Sequence, residues 1–327
     1  MTRIGVRSFV HTVNETQNAV RKAKAEKKYL RRSYADKEGK MTQRVFGLFV
    51  VGVLLSVPVT GQTRWQPPQT SDGQPDMQGF WRNGTAFQAA AAFSLEGDHS
   101  RWPAEFVVSD LTPLTVPDSP PLTATYIVEP ADGKIPYQPW AAAKRNAFIA
   151  NMMAPTKLEH IDPHVRAWLD GVPRNNHVPG EIQIVQVPGY VLVLYSSNHA
   201  YRIIPLDGRS HLGDTIKLFM GDSRGHWEGN TFVVDVTNQN DRTWLDWLSF
   251  HGDGLHVVER WTLVGPDRID YTARFEDPSM FTRPWTIAYR FNRHKDEGYE
   301  IWEDARHEGE RDAERILSGG GLKGRDR

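Results

Sequence analysis

The chain has 327 residues, with 39 Lys and Arg against 40 Asp and Glu, 11 Trp, 21 Pro and no Cys. Its net charge of -1 conceals an asymmetry: residues 1–40 hold 11 Lys and Arg against 4 Asp and Glu (+7), whereas residues 62–327 hold 27 against 36 (-9). The acidic body argues against nucleic acid as a partner of the folded part, and the missing thiols exclude a disulfide, a thiolate nucleophile and a thiolate metal site.

Residues 1–40 are a basic stretch ahead of a signal-like segment. The favoured reading makes Met41 the native start and 1–40 an upstream, non-native extension. The competing reading is a basic arm (Arg21, Lys22, Lys24, Lys27, Lys28, Arg31, Arg32) that lies on anionic lipid. Residues 41–61 have the layout of a secretory signal peptide: Arg44, an apolar run over 45–57, then Val59 and Gly61 ahead of a cleavage point. The run falls short of the ~20 residues of a membrane span, and no Cys follows to carry a lipid anchor. These features predict a periplasmic or secreted protein with no stable membrane anchor after cleavage.

Residues 62–76 are polar and Pro-rich, a flexible lead-in. Residues 77–317 are expected to form a single β-barrel domain, with 84–178 as a partly helical insertion and 318–327 as a tail. Gly79-Phe80-Trp81 on a first strand resembles the Gly-x-Trp of lipocalin-like barrels, in which the Trp plugs one end. Within the insertion, four prolines over 111–121 forbid a central strand or helix interior. Residues 126–128 read as a short strand. Residues 139–153 read as the best helix, opened by Pro139 and filled by Ala141, Ala142, Ala143, Lys144 and Arg145. A second short helix is expected over 163–169, ended by Gly171.

From residue 180 the pattern changes to period two. Strands are expected over 182–187, 190–196, 201–205, 225–227, 231–237, 255–263, 268–275, 285–291 and 299–303. Pro188-Gly189, Glu228-Gly229-Asn230 and Gly265-Pro266-Asp267 supply hairpin turns. The fold class is all-β: an antiparallel meander closing into a calycin-like (lipocalin-like) barrel. Residues 308–317 read as a short charged helix.

Alternation puts Val257, Glu259 and Trp261 on one strand face, and Ile269, Tyr271, Ala273 and Phe275 on that of the next. Trp285, Ile287, Tyr289 and Phe291 follow, then Tyr299, Ile301 and Glu303. Two carboxylates thus enter an aromatic interior. Each must rise in pKa or meet an Arg, which describes both a general acid and a structural ion pair. His256 and Glu259, three apart, point to opposite faces and cannot share a metal from a regular strand. A zinc site from His199, His251 and His256 has no supporting spacing such as H-E-x-x-H, so no metal is predicted. Asp241 and Arg242 sit in a loop rich in hydrogen-bonding groups, either functional or an Asx-turn cluster that shapes the loop. His199 is either a general base or a rim histidine. Gly221-Asp222-Ser223-Arg224-Gly225 has a Ser between glycines, but no strand leads into it and no helix leaves it, so it is not a nucleophile elbow. No P-loop occurs and no G-x-G-x-x-G follows a strand and opens a helix, so no cofactor is predicted.

Several separate strings occur in order: Pro205-Leu206-Asp207-Gly208-Arg209; Gly221-Asp222-Ser223-Arg224-Gly225-His226-Trp227-Glu228-Gly229-Asn230-Thr231; Leu255-His256-Val257-Val258-Glu259-Arg260; Glu276-Asp277-Pro278; and Thr282-Arg283-Pro284-Trp285. Over roughly residues 75–317 the chain resembles a broad family of secreted bacterial β-rich proteins with no securely assigned activity. The resemblance implies export and a β-rich body. It also implies two cysteines in relatives, before Gly171 and before His307, where this chain has none. If those two pair in relatives, this chain lacks that bridge.

The function expected is an exported barrel binding a small, largely apolar ligand in its cavity. Asp241, Arg242, His251, Arg283, Tyr271, Tyr289 and Trp285 are the candidate ligand-binding residues. The alternative is a hydrolase or isomerase in the same cavity, with Glu259, His256, Glu303 and His199 as candidate acid–base groups. A third possibility is a surface interaction module, which requires Trp244, Trp247 and Trp302 to form an exposed patch. The partner expected is a small molecule and not nucleic acid. Oligomeric state has no signal in the sequence.

Overall fold

The computed structural model describes residues 65–83, 94–96, 125–152, 154–177, 181–302 and 312–318. Residues 1–61, most of 84–124, Glu303 and His307 lie outside the described residues, and so do the expectations that rest on them. The described residues belong to one unit, Gln62–Arg327.

Ten strands form one antiparallel sheet. In chain order they are β1 (Gly79–Asn83), β2 (Ile127–Glu129), β3 (Glu181–Val187), β4 (Tyr190–Tyr195) and β5 (Tyr201–Pro205). Then come β6 (Asp222–Glu228), β7 (Thr231–Thr237), β8 (His256–Gly265), β9 (Arg268–Glu276) and β10 (Trp285–Arg293). The spatial order β5-β4-β3-β1-β10-β9-β8-β7-β6 curls into a nearly closed barrel of nine strands. Short β2 pairs with Thr286 and Ile287 of β10, beyond the stretch of β10 that pairs with β1. Among the described residues the helices are α1 (Pro139–Asn151) and α2 (Asp312–Ser318). No described helix is long and apolar enough to cross a membrane.

The expected face is the inner one. Val257, Glu259, Trp261, Ile269, Tyr271, Ala273, Phe275, Trp285, Ile287, Tyr289 and Phe291 are all buried. Their rings fill the barrel by stacking: Phe275 on Trp285 at 4.0 Å, Trp261 on Phe291 at 5.0 Å and Tyr271 beside Tyr289 at 4.7 Å. Each fully buried large apolar side chain contributes ~1.5–3 kcal/mol of transfer free energy. Trp81 on β1 is also fully buried, its indole N–H donates to the Met77 carbonyl at 2.9 Å, and the Arg293 guanidinium lies 4.1 Å over its ring. Gly79 is required beside it: its φ is +121°, and a Cβ there would meet Arg293 Nη1 at 2.5 Å.

The end strands β5 and β6 meet at a seam. Their contact is made by side chains: the Arg202 guanidinium on β5 donates to Ser223 Oγ on β6 at 2.9 and 3.3 Å. Gly225 lets the strands approach, since a Cβ there would meet Ile204 Cγ2 at 2.9 Å and the Phe232 ring at 2.7 Å.

Two sequence expectations need correction. Residues 299–302, the described part of the expected last strand, are not a strand. Gly298 turns the chain at φ +73°, and the Tyr299 ring stacks on His294 at 3.8 Å and against Phe80 at 5.1 Å, outside the sheet. Residues 163–169 are turns, not a helix. Ala167 takes φ 58°, so the helical path cannot continue past it. Arg174 grips both ends of this segment, binding Asp162 bidentately at 3.0 and 2.9 Å and standing 3.7 Å from Asp170. Only single 3-10 turns form nearby, at Leu158–His160 and Arg174–Asn176.

Candidate functional site

The most polar point of the barrel interior is Glu259, fully buried on β8. Its Oε2 takes an N–H from Arg202 at 2.5 Å. Its Oε1 accepts from the Tyr271 hydroxyl and from the Asn176 amide, each at 2.8 Å. Asn176 comes from the insertion; its Oδ1 in turn accepts the Tyr195 hydroxyl at 2.8 Å. Burial pushes the Tyr195 hydroxyl up to about 12, and burial followed by the Glu259 charge pushes Tyr271 well above its usual range, so both remain donors. The network ties β4, β5, β6, β8 and β9 to the insertion. It gives both Glu259 oxygens a partner.

A second region has a different character. A cleft of about 300 Å³ opens between α1, the 159–168 segment, the loop after β7 and Met280. Trp140, Lys144 and Phe148 come from α1 at i, i+4 and i+8, one stripe of the helix. Phe148 stacks on Trp244 at 5.2 Å, while Trp140 donates its indole N–H to the Ser279 carbonyl at 3.2 Å. Arg166 and Trp168 come from the segment that Arg174 holds. Asp241, Arg242, Phe250 and His251 come from the loop after β7. That loop is shaped by local hydrogen bonds: Asn240 Oδ1 accepts the Arg242 N–H at 3.0 Å, and Gln239 exchanges two bonds with the Val172 backbone at 2.9 and 2.8 Å. The Asx-turn reading of this loop is thus met, and the same loop places Asp241 and Arg242 in the cleft lining.

His251 contributes shape and not charge. Burial lowers its pKa, Nδ1 lies 2.7 Å from the Gly252 carbonyl and Nε2 lies 2.7 Å from Thr243 Oγ1. A carbonyl can only accept, so Nδ1 carries the proton and Nε2 accepts from the threonine.

The remaining candidates are scattered. His256 is on the outer face of β8, where its Nε2 meets Asp235 Oδ1 at 3.0 Å; the Nε2 of His211 meets the same oxygen at 3.1 Å. The hydrogen bond raises His256 and lowers Asp235. His199 is exposed in the β4–β5 turn at φ 52°, and Arg283 is exposed just before β10. Tyr289 and Trp285 belong to the stacked interior. Trp244 is buried and Trp247 packs on the core, so of the three Trp expected to form a patch Trp302 alone, at 56% exposure, stands out of the surface. Of the eleven candidates, Asp241, Arg242 and His251 converge in the cleft. Glu259 and Tyr271 converge in the interior network, His256 points the other way, and Glu303 lies outside the described residues. Among the described residues no group of three or more His, Asp or Glu is placed to hold a metal.

Sequence reasoning missed Trp140, Phe148, Arg166 and Trp168 as cleft residues, and Arg202 as the partner of Glu259. The i, i+4, i+8 spacing of Trp140, Lys144 and Phe148 was the only available signal. Compared with protein-family models, curated proteins and solved structures, the chain matches none, so the reading of this site rests on its own geometry.

Proposed function

We propose that this is an exported β-barrel protein that binds a small, largely apolar ligand, and that the ligand occupies the cleft beside α1. The observation that carries this reading is the convergence of Trp140, Phe148, Trp168 and Phe250 with Asp241, Arg242 and His251 around one cavity of about 300 Å³. That volume is at the lower end of the range for small-molecule sites, which combine apolar walls with a few placed polar groups. The barrel interior is less suited, because its rings stack on one another. An acid–base role for Glu259 has less support, since its oxygens are held by Arg202, Tyr271 and Asn176. Export is supported by the signal-like layout of residues 41–61.

Native mass spectrometry of the protein purified from its own host's periplasm or culture medium tests the proposal. A retained small molecule that is lost in Trp168→Ala is the expected result. Retention unchanged by Trp168→Ala would move the ligand out of the cleft. A cytoplasmic protein with residues 41–61 intact would end the export reading.

A further inference from the structure

We propose that the cleft selects anionic aromatic ligands, molecules of one or two fused rings bearing a carboxylate or sulfonate. This inference rests on the reading of the cleft as a ligand site and adds the charge of its occupant.

The argument begins with three cations. Lys144, Arg166 and Arg242 all line the cleft, and among the described residues none of them forms an ion pair within 4.0 Å. The acids that share the lining are Glu159, which faces Lys157 at 3.6 Å, and Asp241, which is exposed. Lys144 Nζ instead sits 4.6 Å from the centre of the Phe250 ring and 5.6 Å from that of Phe148. The Arg166 guanidinium lies 4.1 Å over Trp168, with Arg242 at 5.8 Å from the same ring.

Arg166 is the most telling. Its Nε is buried with no hydrogen-bond partner among the described residues, and burial lowers its pKa. A guanidinium over an indole can still offer N–H groups to a planar oxyanion. A carboxylate entering the cleft would supply the missing acceptors as charge-assisted bonds. Its ring would meet Trp168 and the Phe148 and Phe250 side, where ring pairs gain beyond simple burial. A cationic aromatic would place like charges beside Lys144 and Arg166. A neutral one would gain the ring contacts and leave Arg166 unmatched. Neutral His251 adds no competing charge.

The test uses the full chain and three probes on one scaffold: naphthoate, naphthalenemethanol and naphthylmethylammonium, measured by isothermal titration calorimetry. Naphthoate should bind at least about tenfold more tightly than the alcohol, ~1.4 kcal/mol, and the ammonium most weakly. Added salt should weaken naphthoate alone. Arg166→Met should lower the affinity for naphthoate more than that for the alcohol and so narrow the gap between them. Arg242→Met is the second variant should Arg166→Met fail to fold, with the same direction and a smaller loss. Equal binding of naphthoate and alcohol would overturn the charge selectivity while keeping the cleft as an apolar site. Tightest binding of the ammonium would overturn it outright. No binding by any of the three, with the near-ultraviolet circular dichroism of a folded protein, would overturn both this inference and the reading beneath it.

Discussion

The barrel interior and the cleft both hold arginines among aromatic rings, and they treat them in opposite ways. Arg202 is fully enclosed and paired with a carboxylate, Glu259 at 2.5 Å, with Ser223 at 2.9 Å, although its Nη1 has no partner among the described residues. Arg166 is half enclosed, stacked on Trp168, and has no carboxylate at ion-pair distance among the described residues. A charge completely removed from water is costly unless an opposite charge pairs with it. A charge at a cavity wall can keep part of its hydration and stay available. The contrast separates what holds the barrel shut from what is left open to a small molecule.

The largest expected effect comes from breaking the matched side. Arg202→Met strands the buried Glu259 carboxylate and opens the β5–β6 seam, so unfolding free energy should fall by ~3–5 kcal/mol, read as a lower urea midpoint. Arg166→Met on the other side should change stability by no more than ~0.5 kcal/mol while narrowing naphthoate selectivity. Similar losses in the two variants would erase the distinction between the regions.

Next in size is a pH effect tied to the insertion. His177 is fully buried, its Nε2 donates to the Leu245 carbonyl at 3.0 Å, and burial depresses its pKa to about 4. Between that value and the unfolded pKa of ~6.5 the unfolded chain binds the extra proton. Stability is therefore complete above pH ~6.5 and declines as pH falls toward 4, by up to ~3 kcal/mol. Urea midpoints taken across this window should show the slope in the wild type and a flatter one in His177→Gln. Identical slopes would remove His177 from the account.

The smallest effect belongs to the outer face. His256 is raised and Asp235 lowered by their hydrogen bond, but their side chains are 36% and 41% exposed, so screening keeps the gain well below ~1 kcal/mol. The histidine's share is present below ~6.5 and lost as pH rises through its raised pKa; the aspartate's is present above ~4 and lost as pH falls. The stability difference between wild type and Asp235→Asn should peak at mildly acidic pH and shrink at either extreme. A difference that grows steadily to pH 8 would contradict that assignment.

Much of the barrel was readable in advance. β5 and β7 match their expected bounds, and the inward parity of β8, β9 and β10 follows from alternation. Parity put Glu259 and His256 on opposite faces, with Glu259 on the aromatic one, and the structure turns that face inward. Failures occurred where tertiary contacts overrode local pattern: Tyr299 left the sheet for the Phe80 and His294 rings, and Arg174 held 162–170 in turns. The cleft was half legible, through Asp241, Arg242 and His251. Its other wall depends on α1 lying against the loops after β7 and β9, which no local spacing encodes.

From the sequence alone came the acidic body, the antiparallel β class and the burial of a carboxylate in an aromatic face, because composition and two-residue periodicity are local properties. Which side chains join β5 to β6 at the seam, and which residues line the cleft, were decided by tertiary structure. Arg202 reaches Glu259 across 57 positions of chain, and Asn176 reaches it across 83. Only folding determines which charges such long-range contacts match, and which, like Arg166, are left facing a cavity.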